Sequence, residues 1–171
     1  IHHSKNDIRS SDEILPEVID KITDPSSSGT NTGFIELDKL GAIEGGQLII
    51  IASRPGIGKS TLVMNMLINI RTIYNRPVLI FSMEMPAREI QLRIVSMMSR
   101  LHFGDLKKGI VKDKQALIDA ITRIQHQPIF IKDEAGIHIN TLRANARKIK
   151  REYPDLAAIV IDYLQLVRTD P

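Results

Sequence analysis

Apolar residues recur along this chain in two alternating forms. Short unbroken runs predict buried strands, and longer stretches in which they return every three or four positions predict amphipathic helices. Four runs read as strands: residues 47–53 around Leu48-Ile49-Ile50-Ile51-Ala52, residues 77–82 around Val78-Leu79-Ile80-Phe81, residues 128–132, and residues 157–162. The first is apolar on both faces, which predicts a place in the middle of a sheet. Between them, helical spacing predicts helices at 60–75 (Leu62, Met66, Ile70, Ile73), from Pro86 to about Leu101 (Ile90, Ile94, Met97), at 113–125 (Leu117, Ile121, Ile124) and from a cap at Asn140 or Thr141 to about Tyr153. Residues 102–112 read as a loop. Upstream, Ile14, Leu15, Val18, Ile19 and Ile22 predict a helix over 12–23 capped by Ser11 or Asp12, followed by a break at 25–29 and a short helix from Phe34 to Leu40. Strands alternating with helices predict an α/β domain, a parallel sheet with helices on both faces. The expected organisation is a linker and lead-in helix at 1–30 and a domain at 31–171.

Composition narrows the chemistry. The chain has 171 residues, ordinary proportions of apolar and charged side chains, and no cysteine. Disulfides, thiolate metal sites and a cysteine nucleophile are therefore excluded. No apolar run reaches the length of a membrane span, so no membrane partner is expected and the cytoplasm is the expected compartment. A net charge of +3 permits nucleic-acid binding without arguing for it, and no tryptophan with four phenylalanines and three tyrosines disfavours a base-stacking surface. The His2-His3 pair reads as linker or tag remnant, not as a metal ligand.

The strongest chemical signal is Ser53-Arg54-Pro55-Gly56-Ile57-Gly58-Lys59-Ser60-Thr61, lying between the first apolar run and the first long helix. Strand, glycine-containing loop and helix is the layout of a P-loop for ATP or another nucleoside triphosphate with Mg2+. Gly56 and Gly58 let backbone N–H groups face the phosphates, and the helix N-terminus adds its unpaired donors. Lys59 is expected on the β and γ phosphates, Ser60 on the Mg2+, and Thr61 near the α phosphate. The usual first glycine of the pattern is replaced by Ser53, so the flanking elements carry the assignment.

Two other strand ends bear carboxylates on the side where open parallel sheets bind ligands. Asp162 closes an apolar run and fits a Walker B aspartate, which supports Mg2+ through water. Glu84 follows the second strand and is placed to orient an attacking water. A solvated strand-terminal glutamate is the competing reading. One basic segment, with Arg143, Arg147, Lys148, Lys150 and Arg151, reads first as a solvated helix face and second as a phosphate-backbone or subunit contact.

The motifs at 53–61, 81–86 (Phe-Ser-Met-Glu-Met-Pro) and 161–166 (Ile-Asp-Tyr-Leu-Gln-Leu) resemble, in order and spacing, the RecA-like ATPase domain of DnaB-type replicative DNA helicases. Thr32-Gly33-Phe34 with Leu37-Asp38 and Gly45 fits that family's entry to the domain, and a small residue at Ser53 is common in it. The resemblance covers about residues 31–168. It implies a hexameric ring of identical subunits that translocates on single-stranded DNA by hydrolysing nucleotide, with a helicase loader and primase as further partners. It also implies that Glu84 is the catalytic carboxylate, that Lys59 and Ser60 hold phosphate and metal, and that Asp162 supports the Mg2+. The family's pattern continues with a sensor glutamine, DNA-contacting loops, an arginine finger and a strand between the P-loop and Walker B strands. These residues are thus expected to be the front part of a domain, weakly active alone. Competing readings are a RecA-like recombination or regulatory ATPase, a nucleotide-binding assembly module, and, more remotely, a small-molecule phosphotransferase.

Overall fold

A computed structural model describes residues 8–23, 29–41, 43–54 and 56–169. The elements run α1 (Ser11–Thr23), α2 (Ile35–Asp38), α3 (Lys59–Tyr74), β1 (Val78–Ser82), α4 (Ala87–Ser99), α5 (Phe103–Lys107), α6 (Lys114–Ile124), β2 (Ile129–Asp133), α7 (Ile139–Glu152), β3 (Ala158–Asp162) and a 3-10 turn at Leu164–Leu166. The three strands form a parallel sheet in the order β2-β1-β3, with Ser82 in register with Asp133 on one side and Asp162 on the other. The α/β expectation therefore holds, with three strands among the described residues in place of four.

Every residue of β1 is buried, because helices cover both faces of the central strand. Val78 and Ile80 pack with Met64, Leu67 and Ile70 of α3 and with Ile90 and Ile94 of α4. Leu79 and Phe81 turn the other way, onto Leu142 of α7 with Ile137 and Leu156. The alternation of side chains along a strand assigns each apolar residue to one layer, which is why an unbroken apolar run suits a strand buried on both sides.

The expected strand at 47–53 is corrected. These residues take no regular secondary structure and lie in no ladder, and Leu48, Ile49 and Ile50 are 85%, 46% and 76% exposed. Strand propensity alone does not hold a strand; its N–H and C=O groups need neighbours. Among the described residues no strand pairs with this segment, and β3 is an edge of the sheet, where Ile159 is 44% exposed.

Smaller corrections share one cause: helix faces are chosen by what they meet. In α3 the inward positions are Met64, Met66, Leu67 and Ile70, while Leu62 and Ile73 are exposed. In α6 Ala120 is buried outright and Ile121 is exposed, since the close approach to α4 admits only a small side chain. The 102–112 segment contains α5, whose Phe103 lies under the Arg93 guanidinium at 4.4 Å. Helix α7 is capped two or three residues earlier than expected, at His138, whose side chain accepts from the Asn140 N–H. Helix α1 matches its prediction in extent, but its cap is Ser10, whose hydroxyl and N–H exchange bonds with Glu13 in a capping box. The apolar stripe of α1 is covered by nothing among the described residues: no residue of α1 is buried. The His2-His3 pair and residues 25–28 of the break expected at 25–29 lie outside the described residues.

The entry segment is pinned to α3 by a polar knot. Thr32 is 1% exposed; its hydroxyl and N–H both donate to Asp38 at 2.7 Å, the Gly33 N–H donates to the same carboxylate at 3.0 Å, and the Thr32 carbonyl accepts from Asn69 of α3. Gly33 has a φ of +80°, and a Cβ there would meet the Asn69 side chain at 2.5 Å, so glycine is required twice over. Desolvation pushes the Asp38 carboxyl up, but the bonds from Thr32 and Gly33 outweigh it and hold it below the ordinary 3.8. Because the folded value is depressed, this stabilisation is complete above the ordinary value and is lost as pH falls through the folded one. Asp38→Asn should therefore melt below the parent protein at pH 6, with the gap closing in acid below about pH 4. A gap that stays constant from pH 6 to pH 3 would contradict this assignment.

Candidate functional site

Helix α3 begins where the chain leaves the glycine loop, and its N-terminus is aimed at the carboxyl ends of β1 and β3. Gly58 occupies the cap position at φ +104° and Gly56 sits at φ +79°. These conformations are ready for glycine and costly for other residues. Nothing lies within 4 Å of a Cβ built on either, so the loop borders open space. Ser53, Arg54, Gly56, Ile57 and Gly58 are all exposed around that space, with the Ser53 hydroxyl turned to the Arg54 carbonyl. Pro55 lies outside the described residues.

Lys59 and Ser60, adjacent on the first turn of α3, both converge on Asp162. The Ser60 hydroxyl donates to Asp162 Oδ2 at 2.6 Å and the Lys59 ammonium stands 3.5 Å from Oδ1. The serine and the aspartate are 102 positions apart in the sequence. Asp162 is 9% exposed. A carboxylate this buried is costly unless paired, and the serine and lysine supply its partners. The Lys59 ammonium also lies 4.9 Å from the centre of the Tyr163 ring, a cation–π contact. Thr61 is exposed and its carbonyl accepts from Asn65.

Glu84 lies in the turn between β1 and α4, two residues beyond the residue in register with Asp162, and is exposed. The turn is tied on both sides. The Met83 N–H donates to the Asp162 carbonyl at 2.9 Å, and the Ser82 carbonyl accepts from the Glu134 N–H at 3.1 Å. A narrow crevice between α3 and the sheet is lined by Ser60, Val63, Met64, Ser82, Met85 and Asp162. Among the described residues no group of three or more histidines, aspartates and glutamates forms a metal cage. The oxygen pair at Ser60 and Asp162 suits a hard cation that keeps most of its waters, as Mg2+ does.

The structure thus brings Lys59, Ser60 and Asp162 into contact, and sets Glu84 at the neighbouring strand end. Motif reading takes in Ser82 and Tyr163, inside 81–86 and 161–166, without giving either a role, and it passes over Asp133. Asp133 lacks the signal of Asp162, because Lys132 separates it from the apolar residues of its strand.

A parallel sheet with a glycine loop at a helix N-terminus and an aspartate at a strand end is the layout of a P-loop nucleotide-binding domain. The chain belongs to the family of the DnaB-like helicase C-terminal domain, whose family model matches residues 29–171. It is 36% identical over 147 residues to the replicative DNA helicase DnaB of Buchnera aphidicola subsp. Schizaphis graminum, covering 82% of this chain and 31% of that protein. It is 35% identical over 159 residues to the replicative DNA helicase DnaB of Haemophilus influenzae, covering 89% of this chain and 34% of that one. The chain thus spans about a third of the length of these curated relatives. Among solved structures, one of an isolated ATPase domain superposes with a TM-score of 0.85 at 29% identity, over 95% of this chain and 60% of that one. A DnaB-like replicative helicase studied for its interactions with primase superposes with a TM-score of 0.82 at 29% identity, over 96% of this chain and 41% of that one. No described helix is long and apolar enough to cross a membrane.

Proposed function

We propose that this chain is the nucleotide-hydrolysing motor region of a replicative DNA helicase, working in a ring of identical subunits on single-stranded DNA. The observation that carries this reading is the meeting of the Lys59 ammonium and the Ser60 hydroxyl on the Asp162 carboxylate at the carboxyl end of the sheet. A serine and a lysine at a helix N-terminus are donors suited to phosphate and metal, and a strand-end carboxylate is the acceptor that orders metal-bound water.

Each residue then has a task. The N–H groups around Gly56 and Gly58 and the start of α3 hold the phosphate chain. Lys59 moves from Asp162 towards the β and γ phosphates, a short step for a flexible four-carbon side chain. Ser60 and Asp162 are the residues that would hold Mg2+, the serine by its hydroxyl and the aspartate through water. Glu84 accepts a hydrogen bond from the attacking water and sets it in line with the γ phosphorus. Bound Mg2+ would supply neutralisation of the phosphate oxygens as charge develops on them.

The ring is supported by α1, whose apolar stripe is left uncovered among the described residues; a neighbouring copy is a natural cover for it. Primase is proposed as a partner because a DnaB-like structural relative is described with it, and a helicase loader follows from the same family reading. The deciding experiment is ATP hydrolysis by the full-length protein with and without single-stranded DNA, beside a strand-displacement assay. DNA-stimulated turnover with unwinding supports the proposal. Strand exchange without unwinding points instead to a recombination ATPase, and ring assembly indifferent to nucleotide points to a structural module.

A further inference from the structure

Glu84 makes no hydrogen bond of its own among the described residues, so its place depends wholly on the backbone of the turn that carries it. That turn is held by more than its two strand-end contacts. Inside it, the Ser82 side chain closes a ring: its hydroxyl donates to the Met85 carbonyl at 2.8 Å and accepts from the Met85 N–H at 3.1 Å. Ser82 is 2% exposed, so both bonds are shielded from water. Outside it, the first N–H of α4, on Ala87, donates to Asp133 Oδ2 at 2.7 Å. Helix α4 has Pro86 at its cap position and no side-chain cap from its own sequence. Its N-terminal donor is satisfied instead by a carboxylate from the neighbouring strand, in register with Ser82.

We propose that Asp133 and Ser82 are positioning residues for Glu84: Ser82 sets the curvature of the turn and Asp133 anchors its exit, so that the glutamate is presented at a constant height above the sheet. The inference rests on the proposed hydrolytic role of Glu84. Its physical basis is the geometric tolerance of water activation. A carboxylate must be held to within about half an ångström of its productive place, and a misplacement of about 1 Å can cost about a hundredfold in rate. An anion at the N-terminus of α4 is also favoured by the helix dipole, so the anchor is directional: it holds the first turn of α4 towards β2. On the opposite flank the Met83 N–H is bound to the carbonyl of Asp162. The turn is thereby suspended between the two outer strands, and one of its supports is the residue that receives Lys59 and Ser60.

The test uses the full-length protein with Mg-ATP in steady-state hydrolysis. Asp133→Ala is expected to lower kcat by about tenfold to a hundredfold while leaving KM and the affinity for a fluorescent ATP analogue within about twofold. Asp133→Asn, whose amide oxygen still accepts from Ala87, should recover kcat to within about threefold of the parent. Ser82→Ala should behave as Asp133→Ala does. In the Glu84→Gln background, Asp133→Ala should cause no further loss, because there is no longer a carboxylate to place. Four results overturn the inference: a kcat within twofold of the parent in Asp133→Ala or in Ser82→Ala; a loss in Asp133→Asn equal to that in Asp133→Ala; a loss that adds to that of Glu84→Gln; or a fall in kcat matched by a fall in affinity and melting temperature. Failure of the underlying reading looks different, since Glu84→Gln itself would then turn over at the parent rate.

Discussion

Glu84→Gln should cut ATP turnover by the full-length protein by about a hundredfold to ten-thousandfold while nucleotide affinity stays within about threefold. Glutamine keeps the size and a hydrogen-bonding oxygen but not the negative charge that draws a proton from water. Glu84 lies beyond the end of β1, at the same edge of the sheet as Asp162 but on the adjacent strand. No hydrogen bond or ion pair links Glu84 to Lys59 or Ser60 among the described residues, and the proposal gives it no part in the phosphate grip. Its loss should therefore fall on kcat alone. The measurement is a pair of curves: hydrolysis against ATP concentration, and titration of a fluorescent nucleotide. If both affinity and rate fall together, Glu84 belongs to binding and the assignment of the water-orienting residue is wrong.

Lys59→Ala has the opposite signature. Losing a hydrogen bond to a charged phosphate costs about 1.5–3 kcal/mol, so nucleotide affinity should fall by about tenfold to a hundredfold and hydrolysis with it. The structure adds a second consequence. Asp162 would keep the Ser60 hydroxyl but lose its cation, while remaining buried. The variant protein without nucleotide should then melt somewhat lower, and Mg-ATP should raise its melting point far less than it raises that of the parent protein. Calorimetric titration that finds unchanged affinity in Lys59→Ala would remove the phosphate-binding role from the loop altogether. Comparing the two variants separates grip from chemistry: one keeps binding and loses turnover, the other loses both.

The site was readable to the extent that its chemistry is local. Gly56, Gly58, Lys59 and Ser60 sit together in the chain, and their conformational and donor properties follow from their types and spacing. Asp162 was found as the end of an apolar run, and its contact with Ser60 joins the two motifs in space. Ser82 stands in a quoted motif without a role there, and Asp133 was passed over, because neither stands out by its residue type. Their importance comes from which turn they touch, and only the β2-β1-β3 register brings Asp133 beside the start of α4. The same limit explains Leu62, Ile73 and Ile121, which have helical spacing yet face outward: periodicity gives a face, and packing partners choose which part of it is covered.

By itself the amino-acid sequence determined the alternation of strands and helices, the glycine loop, and the three candidate positions at Lys59, Glu84 and Asp162, since backbone propensity, turn chemistry and ligand-binding types act over a few residues. Tertiary structure alone decided that 47–53 lies outside the sheet, that the knot at Asp38 ties the entry segment to α3, and that Lys59 and Ser60 close on one carboxylate. Those outcomes depend on whether a partner strand or side chain from far along the chain is present to complete a hydrogen bond, and no local pattern carries that information.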